Sequence, residues 1–468
     1  MSREGKLAKN TLILSIGTIL PRLAAFITLP ILTACLTKEE FGSYDLITIL
    51  VSLVLPVATL QIEAGAFRFL IDVRQDIRQI KAIITNILVF VAPVSVVALF
   101  VLYFFLPGDM LIRILICLYF FTDILSRGVK QIARGLEKNF DFSLNAIITS
   151  FGKVVFIVIF VFYLKYSLLG VVISLLLATL MSFVILSIKI KLYQFIEFSL
   201  VDFQVIKDLL AYSWPMVPNG MSMWVMNMSD RLLVTMFLGL SANAVYAVAT
   251  KIPSIITLAQ HTFTMAWQEN ASIVSKDKDA DAYYTNMFKI MFNLTAGLVG
   301  LIICATPLLF MLLIRGEYSE AYFQMPFLFI AMFFYSQCAY LGGVYVAYKK
   351  TKSVGITTTV AAVTKIVICL ASIKWLGLYA ASGSTLISFL ILLIYRMMDV
   401  RKFVRISYDF KQIFIVIVIL TIEILLCLAQ QPVLNVINVG FGIAVFCFLN
   451  KPVIKTVRAK VSDLKRKL

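Results

Sequence analysis

The sequence predicts an all-α integral membrane protein of about fourteen transmembrane helices, twelve of them in two parallel six-helix halves and two appended at the C-terminus. Three observations carry this. The 468 residues are 61% hydrophobic and only 14% charged, far more apolar than a soluble globular chain. Apolar runs of roughly 20 residues, the length that spans a hydrocarbon core about 30 Å thick, follow one another with short polar breaks. Short stretches of the first half recur in the second at nearly constant separation.

The spans fall, in order, at about 8–32, 41–66, 82–106, 111–133, 143–164, 168–188, 214–238, 243–268, 287–313, 322–347, 354–373, 378–396, 410–430 and 433–449. Continuous apolar runs of this length exclude the alternating strands of a β-barrel. The first run is too long for a signal peptide and has no small-residue cleavage site, so it reads as a retained span. LTKEEFGSYDLI at 36–47 precedes span two as LSANAVYAVATKI at 240–252 precedes span eight, pairing Tyr44 with Tyr246. FGKVVFIVIF at 151–160 similarly matches VTKIVICLAS at 363–372, pairing Lys153 with Lys365. The halves are then 1–200 and 201–402, and 403–468 holds two further spans and a basic tail. An even number of helices per half makes the repeat parallel and places the expected cavity between the halves near the midplane.

Orientation follows from the basic residues. With the N-terminus cytoplasmic, 32 of the 42 Lys and Arg are counted with the cytoplasmic segments, among them Arg127 and Lys130 towards the end of span four and Arg134 and Lys138 after it. Only Lys38, Arg113, Lys165, Arg315 and Lys374 fall opposite. Both termini are therefore expected in the cytoplasm. This bias, with contact to anionic headgroups, accounts for the net charge of +17 without any nucleic-acid partner.

Five cations belong to no loop: Arg22, Lys153, Arg231, Lys251 and Lys365. Each costs roughly 2.5–3.5 kcal/mol near a helix centre unless it meets water, a counter-ion or a ligand. Polar seams on the same or neighbouring helices point to water: Thr11, Ser15, Thr18 and Arg22 in span one, Thr48, Ser52, Thr59 and Glu63 in span two, and Asn145, Thr149 and Lys153 in span five. Span seven carries Asn219, Ser222, Asn227 and Asp230, and span eight Lys251, Ser254, Thr262 and Glu269. Such seams either line a hydrated cavity or glue helices together. Pro21, Pro56, Pro215, Pro218 and Pro253 lie in these same spans and can bend them.

Enzyme chemistry has little room, since the longest interhelical stretches are about 20 residues and the outer loops are shorter still. KDKDADA sets Asp277, Asp279 and Asp281 at alternate positions, but Ala282 and Phe288 stand where a calcium loop needs Gly and Glu. The seven cysteines are scattered, His261 is the single histidine, and no phosphate-binding loop for ATP appears. No metal site and no cofactor are expected.

AYSWPMVPNGMSMWVMNMSDRLLVTMFLGLSANAVYAVATKI, with LTKEEFGSYDLITILVSLVLPVATLQIEAGAFRFL near the start, resembles the Wzx-like polysaccharide flippases of the multidrug/oligosaccharidyl-lipid/polysaccharide (MOP) exporter superfamily. The specific pieces are Gly42 and Tyr44, Arg68, the Trp214, Pro215, Pro218, Asn219 cluster, and Ser229, Asp230, Arg231. The resemblance implies two halves forming a V around a cationic lumen. It also implies a bacterial cytoplasmic-membrane protein that carries an undecaprenyl-diphosphate-linked oligosaccharide to the outer leaflet by ion-coupled alternating access. A polysaccharide polymerase and a chain-length regulator would be its protein partners. On this reading Arg22, Lys153, Arg231, Lys251 and Lys365 take the diphosphate, while Glu63, Asp230 and Asp123 pair with them or exchange a coupling H+ or Na+. Asn219, Trp224 and Asn227 then meet sugar. A lipid II flippase or a multidrug antiporter of the same superfamily is the alternative.

Overall fold

A computed structural model describes residues 3–106, 108–275 and 277–455, less the side chains of 3–15, 19, 219, 259, 261, 262, 265, 266, 269 and 351. Among the described residues the regular structure is helical throughout, with no strand. In chain order the helices are α1 (Arg3–Cys35), α2 (Lys38–Ala58), α3 (Ile62–Asp72), α4 (Ile77–Tyr103), α5 (Met110–Gly135), α6 (Asn139–Ile157), α7 (Ser167–Ile190), α8 (Phe203–Ser213) and α9 (Met216–Leu238). There follow α10 (Leu240–Ala249), α11 (Ile255–Val274), α12 (Ala280–Leu313), α13 (Ser319–Ala347), α14 (Thr351–Leu376), α15 (Leu378–Val400), α16 (Phe410–Leu428) and α17 (Pro432–Leu449).

Eleven helices of the described residues, not fourteen, are long and apolar enough to cross a membrane. The three expected spans outside that set coincide with α5, with α9, and with α10 followed by α11. These are polar helices: Asp123, Arg127 and Lys130 interrupt the apolar run of α5, and Asp230 and Arg231 that of α9. The protein is thus a multi-pass membrane protein whose most polar helices are the ones that need their neighbours to shield them.

Local chemistry sets the boundaries. Thr37 and Glu40 form a reciprocal capping box at the start of α2: Glu40 N–H donates to Thr37 Oγ1 at 3.2 Å, and Thr37 N–H to Glu40 Oε2 at 2.9 Å. Asp76, Asp109, Asp202 and Asp409 cap α4, α5, α8 and α16 in the simpler way. Expected span two is broken: α2 ends two residues after Pro56, Leu60 and Gln61 take left-handed backbone at φ 47° and 52°, and the chain resumes as α3. Expected span eight is broken at 250–254, where Pro253 separates α10 from α11. The short helix α8 has no counterpart among the expected spans.

The chain packs as two compact units, Met1–Ala244 and Val245–Leu468. In the first, α5 lies against α3, α4 and α7, α1 lies against α6, and α2 against α9. Gly17 brings α1 close to α6, since a Cβ there would sit 2.5 Å from Ser143 Cβ. The segment 191–202 is strapped along the start of α4. Lys81 Nζ meets Glu197 Oε2 at 3.0 Å, and Asn86 donates to Leu200 O and accepts from Asp202 N–H, both at 2.9 Å. Hydrogen bonds from Lys81 and Ser199 hold the Glu197 carboxyl below its ordinary value. In the second unit α13 packs on α11, α12 and α15, and α16 and α17 both lie on α12. Trp267 of α11 stacks on Tyr340 of α13 with ring centroids 4.5 Å apart and donates its indole N–H to Tyr340 O at 2.8 Å.

Candidate functional site

Two charged assemblies are built within the first unit. The first stitches α2 to α9. Arg231 Nη1 donates to Asp45 Oδ1 at 3.0 Å, and Asn243 of α10 donates to Asp45 Oδ2 at 3.2 Å and to Gly42 O at 3.3 Å. Both ion-pair side chains are largely buried, 14% exposed for Arg231 and 4% for Asp45. Two turns along, Trp224 Nε1 donates to Ser52 Oγ at 3.1 Å, and further on Gln61 Nε2 donates to Met216 O at 3.2 Å. Residue numbers rise along α2 as they fall along α9, so the two helices run antiparallel in one register. Gly42 permits the closest approach, because a Cβ there would collide with the carbonyl of Leu240.

The second assembly centres on α5. Tyr119, Asp123, Arg127 and Lys130 recur at steps of four, four and three, which lines them along one face. Arg127 Nε donates to Asp123 Oδ2 at 2.7 Å. Lys130 and Lys153 of α6 also act electrostatically on that carboxylate, and Arg127 acts on Glu63 of α3. Glu63 Oε2 is buried without a hydrogen-bond partner among the described residues. Three cations are therefore within electrostatic reach of Asp123, and one of them also of Glu63. The Arg127 side chain is 51% accessible, while that of Asp123 is 11% accessible. Tyr119 lies within electrostatic reach of Tyr44, and Tyr44 of Asp45 and Arg231, so the two assemblies adjoin.

The residues singled out in the sequence distribute as follows. Lys153, Asp123 and Glu63 come together in the α5 assembly. Asp123 lies at the middle of α5. Arg231 reaches Asp45, and Asp230 Oδ1 accepts the backbone N–H of Arg231 at 3.0 Å. Arg22 is half-buried on α1, the helix that packs against α6. Trp224 spends its indole N–H on α2, and Asn227 is exposed with its amide turned to Met223 O at 2.7 Å. Lys251 lies in the break between α10 and α11, and Lys365 is buried in α14, both in the second unit. The side chains of Asn219, His261, Thr262 and Glu269, like those of Thr11 and Ser15, lie outside the described residues. The Asn145 and Thr149 seam is helix glue: both bond Ser182 of α7, at 2.7 Å each.

Sequence reasoning missed Asp45, Asn243, Arg127 and Lys130. Arg127 and Lys130 were counted with the cytoplasmic basic residues although span four, 111–133, runs through them, as α5 does to Gly135. A carboxylate in the apolar run SYDLITIL was the signal available for Asp45.

The sequence pattern of the family described as "Polysaccharide biosynthesis protein" matches residues 7–268. No curated protein sequence matches the chain. Among solved structures it is similar to the lipid II flippase MurJ in an inward closed conformation, at 14% identity and TM-score 0.67, over 96% of this chain and 99% of that one. It is also similar to an inward-facing multidrug resistance MATE family transporter of the MOP superfamily, at 14% identity and TM-score 0.66, over 84% and 98%. A third likeness is to a MOP superfamily transporter from Pyrococcus furiosus with a binding pocket of reversed polarity, at 13% identity and TM-score 0.59, over 84% and 94%. At these identities the likeness is one of fold.

Proposed function

Because the chain belongs to the polysaccharide biosynthesis protein family, we propose that it is a flippase for a polyprenyl-diphosphate-linked oligosaccharide, moving this precursor across the bacterial cytoplasmic membrane by alternating access. The observation that carries this reading is the α5 assembly: Arg127, Lys130 and Lys153 act on Asp123, and the side chain of Arg127 is half accessible. A diphosphate leaving the headgroup layer loses its hydration, and fixed cations with spare donors replace it at little reorganisation cost. Lys and Arg together suit the task, one as a mobile point charge and the other as a planar fork.

Loading then has a local consequence. Phosphate oxygens compete with Asp123 for Arg127 and Lys153, which frees a carboxylate beside Glu63. A carboxylate losing its counter-ion takes up a proton or Na+, and this is the step at which an ion gradient resets the carrier. Glu63 and Asp123 are the residues for that exchange, with Asp230 as a third. Arg22, Arg231, Lys251 and Lys365 extend the cationic path, and Asn219, Trp224 and Asn227 meet the sugar. The duplicated halves 1–200 and 201–402 supply the two gates, with 403–468 as an appendage. Both termini are cytoplasmic, and a polymerase and a chain-length regulator receive the product.

The test is transbilayer movement of a fluorescent polyprenyl-diphosphate oligosaccharide in proteoliposomes, comparing the wild type with Lys153→Ala at equal insertion. Loss of movement with intact folding supports the reading. Unchanged movement, or a wild type that moves no such lipid, overturns it.

A further inference from the structure

The second unit holds an acid in an unusual setting. Glu423 lies within α16 with 0% of its surface exposed, and neither carboxyl oxygen has a hydrogen-bond partner among the described residues. Two glycines make room for the group. A Cβ on Gly300 of α12 would lie 2.5 Å from Oε2 and 3.0 Å from Oε1, and one on Gly442 of α17 would lie 3.6 Å from Oε1. Asn438 of α17, equally buried, donates its amide to the backbone oxygen of Glu423 at 2.9 Å, and its own Oδ1 is left without a donor. Three buried acceptor oxygens thus sit among three apolar helices.

The titratable groups facing this site carry no positive charge. Cys304 of α12 reaches the same space over Gly442, where its Sγ would lie 2.6 Å from a Cβ. Cys427, one turn along α16, is engaged by the Tyr322 hydroxyl of α13 at 2.9 Å. Among the described residues no ion pair reaches Glu423 either, so an ionised carboxylate would have no counter-ion and no donor. A metal cation fits poorly, since hard cations gather roughly six oxygens and the helices engage their own carbonyls.

We propose that Glu423 is a proton-binding site, a carboxylic acid whose bound proton seats α16 and α17 on α12. The proton turns one of the three acceptors into a donor and removes the charge. When it leaves, the carboxylate draws water between the helices, and the pair loosens. Seating is therefore complete while the acid is protonated and is lost as pH rises through its midpoint.

Two measurements on the full chain in lipid nanodiscs test this. The wild type at neutral pH is expected to show a carboxylic C=O infrared band that disappears on alkalinisation and is missing from Glu423→Gln. Maleimide modification of Cys304 and Cys427, followed peptide by peptide by mass spectrometry, should be equally slow in both proteins at neutral pH. One pH unit above the midpoint it should run about tenfold faster in the wild type, following the ratio of ionised to protonated acid. The infrared titration of the wild type stands alone if the variant does not fold. An absent band, the same pH response in both proteins, or thiol protection that follows Na+ at constant pH would overturn the proposal.

Discussion

Arg127 in the first unit and Arg396 in the second are both helical arginines, and they are held in opposite ways. Arg396 of α15 is buried, and each of its nitrogens is occupied: Nη1 donates to Cys338 O at 2.6 Å, Nη2 to Thr358 Oγ1 at 3.0 Å and Nε to Thr357 Oγ1 at 3.3 Å. Its partners are neutral and its role is to tie α13, α14 and α15 together. Arg127 has one nitrogen on Asp123, and half of its side chain is accessible. The difference teaches that burial of a cation does not mark a ligand site in a membrane protein; spare donor capacity on an accessible side chain does. Around each arginine its unit follows suit, with Lys130, Lys153 and Glu63 near Arg127, and with Tyr345, Trp267 and Tyr340 among the packed rings on the side of Arg396.

The sharpest way to break this comparison is to take a carboxylate away from a third arginine. Asp45→Ala leaves Arg231 without the carboxylate it meets at 3.0 Å, and removing one partner of a buried pair costs about 3–5 kcal/mol. The expected result is a large fall in thermal midpoint, recovered in part by Asp45→Ala combined with Arg231→Met. No recovery would mean that Asp45 acts chiefly through Asn243. Next in size is Arg396→Ala, which gives up charge-assisted bonds worth about 1.5–3 kcal/mol apiece, counted non-additively. It should lower stability by at least one such bond and leave transport per folded molecule unchanged.

The fold class was legible because hydrophobic run length reports directly on the solvent a helix must face. The paired charges were less so. Asp45 lies nearly 200 residues from Arg231 and Asn243 along the chain, and helical periodicity is blind to such contacts. Arg127 and Lys130 were misplaced for a different reason. The positive-inside rule assigns basic residues near a span end to the loop, whereas α5 extends beyond its apolar stretch and carries them on the face of Asp123. The break after Pro56 was foreshadowed by proline alone; the left-handed Leu60 and Gln61 carried no glycine to announce them.

Arg127→Ala comes third. Because the side chain is half accessible, its pair with Asp123 is worth at most about 1 kcal/mol of stability. One lost charge-assisted bond to phosphate is worth about 1.5–3 kcal/mol, so flipping should fall roughly tenfold to a hundredfold. A stability loss as large as that of Arg396→Ala, with normal flipping, would erase the distinction between the two arginines.

The smallest effect tests whether an exposed pair behaves as the comparison requires. Lys81 and Glu197 meet at 3.0 Å on the strap between α7 and α8, where water competes for both groups. Hydrogen bonds to Lys81 and Ser199 depress the Glu197 carboxyl from 4.5, so whatever the pair contributes is present above that pH and is lost as pH falls through the lower folded value. Lys81→Ala should therefore leave transport intact and speed proteolysis within residues 191–202 only modestly at pH 7. The wild type should approach the variant's rate as the medium is acidified through the lowered Glu197 value. A strap equally protected in both proteins at every pH would assign its hold to Thr85 and Asn86, whose bonds to the segment are uncharged and do not titrate.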